Sequence, residues 1–174
     1  MKPEAFAVLK NRRAIRKYKP EQITEEELQA VVEAGTYAPT GGGKQGVQIA
    51  TAQKPEDIAE VNRLNGAVMG NPNAQPYYGV RTILLIFETE DCFTHERDGA
   101  AVCTNMLNAA YAAGLGSCWI HRTKQAFESD EGKALLRKWG LSDTLAGVAS
   151  IALGNADCEQ PKPKPRKADY IVRV

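Results

Sequence analysis

The bulkiest unbroken apolar run in the chain is Ile83-Leu84-Leu85-Ile86-Phe87. It is far too short to cross a bilayer, which takes about 20 residues, and it anchors the strongest strand signal, over 80–88. Around it, helical and strand periodicities alternate. A short helix over 3–10 leads into a basic segment, 11–19. Thr24 and Glu27 form a capping box, Leu28, Val31 and Val32 continue as an apolar stripe, and Gly35 suits the helix end. The loop Ala38–Lys44 precedes a strand over 46–52, and Pro55 suits the start of a helix over about 55–66. Asn71-Pro72-Asn73 is turn chemistry. Beyond the main strand come a helix over 97–113, a strand Ser117–His121, a helix over about 130–139 and a strand over 145–153. No repeat or linker divides the 174 residues. The pattern predicts one domain, 1–174, of mixed α and β class, with one central sheet and packed helices.

Composition removes several classes of function. A net charge of +1 supplies no field to steer the chain to nucleic acid. Its positive charge is local instead, at Arg12–Lys19 and Lys162–Lys167. The first nine residues carry a Glu and only a brief apolar stretch, a poor secretory signal. The expectation is therefore a cytoplasmic protein, with Cys92, Cys103, Cys118 and Cys158 as reduced thiols.

The 97–113 helix is rich in small residues: Gly99, Ala100, Ala101, Ala109, Ala110, Ala112 and Ala113. So uncharged a helix is expected to be buried, and small side chains admit a second backbone or a flat ligand. The tail Pro161–Lys167 alternates prolines with cations, which forbids helix and favours an extended arm.

Familiar catalytic patterns fail one by one. Gly43-Lys44 is not a P-loop, because Ala38 stands where the first Gly belongs and Gln45 where Ser or Thr does. Gly114-x-Gly116 has Trp119 in place of the third Gly of a dinucleotide fingerprint, and it follows a helix rather than a strand. No G-x-S-x-G elbow occurs. Cys92-x-x-His95 and Cys118-x-x-His121 would supply four zinc ligands. In a strand, however, residues three apart face opposite ways, so no metal is expected. A chain with no acid–base pair, metal cage or nucleophile, but with basic segments at both ends, would draw any chemistry from a cofactor. Arginine is the better partner for such a cofactor's phosphate. Taken alone, Arg12, Arg13 and Arg16 read first as a solvated charge run.

Four segments together resemble the nitroreductase family. Arg12-Arg13-Ala14-Ile15-Arg16-Lys17-Tyr18 is similar to its opening motif, Arg-Arg-Ser-x-Arg-x-Tyr/Phe. Ala38-Pro39-Thr40-Gly41-Gly42-Gly43-Lys44-Gln45 is similar to its second, Ala-Pro-Ser-x-x-Asn-x-Gln. Gly114–Ile120 resembles the segment after the central helix, and Lys164-x-Arg166 the closing basic motif. They occur in the family's order over nearly the whole chain.

The resemblance implies an α+β fold with a mostly antiparallel central sheet flanked by helices, in an intertwined homodimer. It implies FMN as cofactor, NADH or NADPH as electron donor, and a small electron acceptor such as a nitroaromatic or quinone, reduced in a ping-pong cycle. The flavin carries the chemistry, so no catalytic side chain is named. The cofactor contacts implied are Arg12, Arg13, Ala14 and Arg16 with Lys164 and Arg166 at the phosphate side. Pro39, Thr40 and Gln45 would reach the flavin from the other subunit. Ile120 and His121 would lie against the ring near its redox-active nitrogen, where a backbone N–H can donate. The Ala-rich helix would lie in the dimer core.

Departures from the family pattern bear on affinity and substrate. Ala14 lacks the usual Ser hydroxyl, Gly43 lacks the usual Asn side chain, and Val47 stands near a common Trp. A non-catalytic flavin binder or sensor on the same fold is the alternative that these changes leave open.

Overall fold

The computed structural model describes residues 3–71, 73–89 and 93–174. In chain order its elements are α1 (Pro3–Asn11), α2 (Glu25–Thr36), a 3-10 turn (Gly41–Gly43), β1 (Gln48–Ala52), α3 (Pro55–Val68), β2 (Thr82–Thr89), α4 (His95–Ala112), β3 (Gly116–Ile120), α5 (Thr123–Glu128), α6 (Asp130–Lys138) and β4 (Leu145–Gly154). Pro72 and Cys92 lie outside the described residues, and with them part of the 71–73 turn and one half of the Cys/His pairing.

The strands order β1-β2-β4-β3, and every ladder is antiparallel. This is the α+β architecture expected. The five-residue apolar run explains the layering. Ile83, Leu85 and Phe87 pack on one face with Val61 and Leu64 of α3, Phe127 of α5 and Leu136 of α6. Leu84 and Ile86 pack on the other with Val31 of α2 and Val102, Cys103 and Met106 of α4. Residues that alternate across a pleated strand need apolar neighbours on both sides when helices cover both. β2 thus lies at the centre of a three-layer molecule.

The local signals held in most places. Thr24 Oγ1 accepts from the Glu27 N–H at 3.2 Å while Glu27 accepts from the Thr24 N–H at 2.7 Å. Pro55 stands in the first turn of α3. α4 stops because Gly114 adopts φ +78°, with the Leu115 N–H on Ala110 O at 2.8 Å and the Gly114 N–H on Tyr111 O at 3.1 Å.

Gly35 behaves differently from its prediction. The helix continues past it to Thr36. A Cβ at Gly35 would meet the Met106 Cγ at 2.8 Å, so the glycine is there to let α2 and α4 close together. Gly99 does the same toward β4, where a Cβ would fall 2.7 Å from Val148. Part of the small-residue character of α4 therefore serves contacts within the chain. Val148 itself marks a register shift, since Ile86 pairs with Ala149 and Phe87 with Gly147. β3 ends at Ile120, one residue earlier than predicted, and α5 follows where no helix was expected.

Candidate functional site

The basic segment after α1 is knitted to the sheet through its backbone. Ala14 bridges Ser117, and the Ile15 N–H donates to Ser117 O at 3.0 Å. Ile15 is buried over Gly116, where a Cβ would come within 2.9 Å of its Cγ2. Further on, the Lys19 N–H donates to Asn155 O and the Asp157 N–H to Lys17 O. The Tyr18 hydroxyl donates to Ile15 O at 2.6 Å and lies 3.2 Å from Ala152 O. Burial raises the Tyr18 pKa, so the phenol stays protonated as a donor.

This zipper aligns the segment beside the start of β3 and leaves its cations on either side of the buried Ile15. Arg16 lies near Cys118 and Tyr78, whose influence raises its pKa. Cys118 is raised by burial, with Arg16 and Arg12 pulling the opposite way. Among the described residues no carboxylate pairs with Arg12 or Arg16, whereas Lys17 is held by Asp157 at 2.8 Å. Arg13 is committed to the chain: its Nη1 donates to Lys10 O and Arg12 O, each at 2.7 Å, closing the end of α1. Its buried Nε has no acceptor.

The far end of β3 rests on a buried polar network drawn from four elements. The Tyr77 hydroxyl and Ser150 Oγ are 2.8 Å apart, and Thr123 Oγ1 donates to Ser150 Oγ at 2.9 Å. Ser150 Oγ donates to Ile120 O at 3.3 Å, and Asn65 Nδ2 to His121 O at 2.8 Å. All four side chains are buried, so the network fixes two consecutive carbonyls at the strand end. Burial also raises the Tyr77 pKa. Ile120 is buried, while His121 lies exposed just beyond the strand. Cys118, buried within the strand, and His121 therefore differ in setting, as strand alternation requires.

The loop carrying Pro39, Thr40 and Gln45 is braced on α4. The buried Asp98 accepts from the Gly41 N–H at 2.8 Å and from the Thr94 hydroxyl at 2.8 Å. Thr40 Oγ1 accepts from the Gln45 N–H at 3.0 Å, and Gln45 itself takes φ +53°. Pro39 and Gln45 are exposed.

The tail is the looser partner. Gln160 Nε2 donates to Asn11 O, next to Arg12, which brings the tail's beginning to the arginine segment. Beyond it Arg166 turns back onto Lys164 O, at 2.8 Å from Nη2. No described hydrogen bond or ion pair joins Lys164 or Arg166 to Arg12, Arg13 or Arg16.

Sequence reasoning missed Asn65, Tyr77, Ser150 and Asp98, whose roles come from contacts with distant parts of the chain. It also missed Tyr78 beside Arg16. A cavity of about 510 Å³ lies elsewhere, between α3 and the 75–81 segment. Part of its polar wall is already engaged: Arg63 on Glu60, Gln22 on Arg81 O and Thr82. Among the described residues no cluster of His, Cys, Asp and Glu is placed to hold a metal, and no helix is long and apolar enough to cross a membrane.

Comparison with known proteins agrees with this architecture. The nitroreductase family model matches residues 9–82. A protein of Archaeoglobus fulgidus, provisionally named an NADH dehydrogenase/NAD(P)H nitroreductase, is 22% identical over 154 residues, covering 87% of this chain and 84% of that one. The crystal structure of a Bacteroides fragilis nitroreductase with bound FMN superposes with a TM-score of 0.89 at 27% identity, covering 98% of both chains. A Desulfitobacterium hafniense nitroreductase with bound FMN also reaches 0.89, at 23% identity over the full length of both.

Proposed function

We propose that the chain is a member of the nitroreductase family, whose model matches residues 9–82, and that it is an FMN-dependent oxidoreductase. NADH or NADPH is the donor and a small electrophile, such as a nitroaromatic or quinone, the acceptor. The observation that carries this reading is the pairing of two features on one strand. At the start of β3 stand Arg12 and Arg16, free of carboxylate partners; at its end the backbone of Ile120 and His121 is pinned by a buried network. Cys118 and His121 are separated by about 10 Å of extended chain.

The donor set suits a flavin phosphate. Arg12 and Arg16 offer guanidinium forks with no competing acid, and the buried Nε of Arg13 lacks an acceptor. Ala14 contributes only backbone, so the clamp relies on cations more than hydroxyls. Lys164 and Arg166 join it by a movement of the tail beyond Gln160. The backbone after the buried Ile120 supplies a donor toward the ring's redox-active nitrogen. Bound there, FMN would supply the hydride and electron-transfer chemistry between nicotinamide and acceptor. The protein's part is to bind, orient and shield.

A homodimer completes the site in this reading. Pro39 and Gln45 are exposed and Thr40 is half-buried on a loop braced by Asp98, and they reach the flavin held by the partner. Phe6 and Leu9 on α1, and Tyr170, Ile171 and Val172 in the tail, are exposed apolar side chains suited to such an interface.

Adding FMN to purified protein tests the reading directly. We expect a perturbed flavin spectrum and, under anaerobic conditions, bleaching by NADH or NADPH. Uptake without bleaching would favour the non-catalytic flavin binder, and no uptake would remove both readings.

A further inference from the structure

Arg122 breaks a local rule. It follows the β3 end directly and adopts φ +76°, ψ +9°, the left-handed region, as the residue that opens α5. Glycine adopts this conformation without penalty, and a long branched-free cation gains nothing from it in backbone terms. Strain retained at a strand end beside a binding site points to a use for the side chain.

The surroundings show what that use is. Arg122 lines a cavity of about 300 Å³ with Ala100, Val148, Trp119, His121, Lys124 and Glu96. Lys124 is held by Glu96 at 3.0 Å. Among the described residues Arg122 has no ion pair or side-chain hydrogen bond, so its charge is uncommitted. Trp119, 37% exposed, gives the same cavity an indole face. The Val148 bulge and Gly99 bring α4 close enough to form its floor. A space of this size, with an indole face among several polar side chains, suits one substituted aromatic ring. An uncommitted guanidinium suits a carboxylate, which it can grip with two parallel hydrogen bonds.

We propose that this cavity is the acceptor subsite and that Arg122 selects planar aromatic acceptors carrying a carboxylate, with Trp119 stacking on the ring. The inference rests on the flavin reading, because its place beside His121 makes the cavity adjacent to the ring. It goes beyond that reading in assigning a charge class to the substrate and a residue to the selection.

Isothermal titration of FMN-loaded protein with 4-nitrobenzoate and with its neutral isostere 4-nitrobenzamide tests it. We expect the carboxylate to bind at least tenfold tighter. Arg122→Gly, which suits the left-handed backbone, should abolish that difference, and Arg122→Lys should retain part of it. FMN content and affinity for the amide serve as controls for folding. Equal affinity for the two probes, or a preference that survives Arg122→Gly, would overturn the inference. So would a variant that loses NADPH affinity while keeping nitrobenzoate affinity, since the guanidinium would then serve the donor. Failure to take up FMN shows itself before any acceptor is added, and would count against the flavin reading rather than against Arg122 alone.

Discussion

Two basic segments, Arg12–Lys19 and Lys162–Lys167, look alike in charge density and sit in the molecule very differently. The first is zipped to β3 and to the exit of β4 by backbone hydrogen bonds on both sides of Ile15. The second is exposed, and its Arg166 is turned onto its own chain. What separates them is registration. Tyr18 and Ile15 fix where Arg12 and Arg16 stand relative to β3, whereas alternating prolines stiffen the tail without positioning it. A cation contributes to a phosphate site when the fold holds it in place before the ligand arrives.

The largest effect that would break this contrast is on cofactor affinity. Arg12→Ala with Arg16→Ala should weaken FMN binding by about 100-fold or more, the loss of two charge-assisted contacts worth roughly 1.5–3 kcal/mol each. Lys164→Ala with Arg166→Ala should cost about tenfold at most, because ordering the tail offsets part of its contribution. Fluorescence titration compares the pairs, and equal losses would erase the distinction drawn between them. Next comes Gly116→Val, which forces a side chain into Ile15. We expect it to destabilise the fold by about 1–3 kcal/mol in urea melts and to loosen FMN binding, although it removes no charge.

A smaller effect follows from Tyr18→Phe, which leaves Ile15 O and Ala152 O without their donor. Loss of about 1 kcal/mol in the same melts is expected. Smallest is the exposed pair Lys17–Asp157. Lys17 depresses the Asp157 carboxyl, so any stability that the pair adds is present above the ordinary carboxylate range and is lost as pH falls through the lowered value. Lys17→Ala should therefore leave the urea midpoint unchanged from neutral pH down to about 5.

The same contrast explains what the sequence made legible. The apolar run, the capping box and the Gly114 stop are local signals, and they placed β2, α2 and the end of α4 to within one or two residues. The role of Gly35 was misread because its reason, the Met106 side chain, is 71 positions away in the chain. α5 escaped because six residues show no helical period and its opening residue is an arginine in a glycine conformation. In the site, Arg12, Arg16, Ile120 and His121 were visible as motif positions. Asn65, Tyr77 and Ser150, which hold the strand end, were not. Each is an ordinary core residue until the fold brings them together.

The central claim is that Arg12 and Arg16 form a prepared phosphate site at the foot of β3. Riboflavin, which lacks the phosphate, provides the most direct measurement. Wild-type protein titrated with FMN and with riboflavin should bind FMN about 100-fold tighter or more, and the Arg12→Ala, Arg16→Ala double variant should bind the two nearly alike. Equal affinity of the wild type for both flavins, or a preference for FMN that survives the double substitution, would contradict the account.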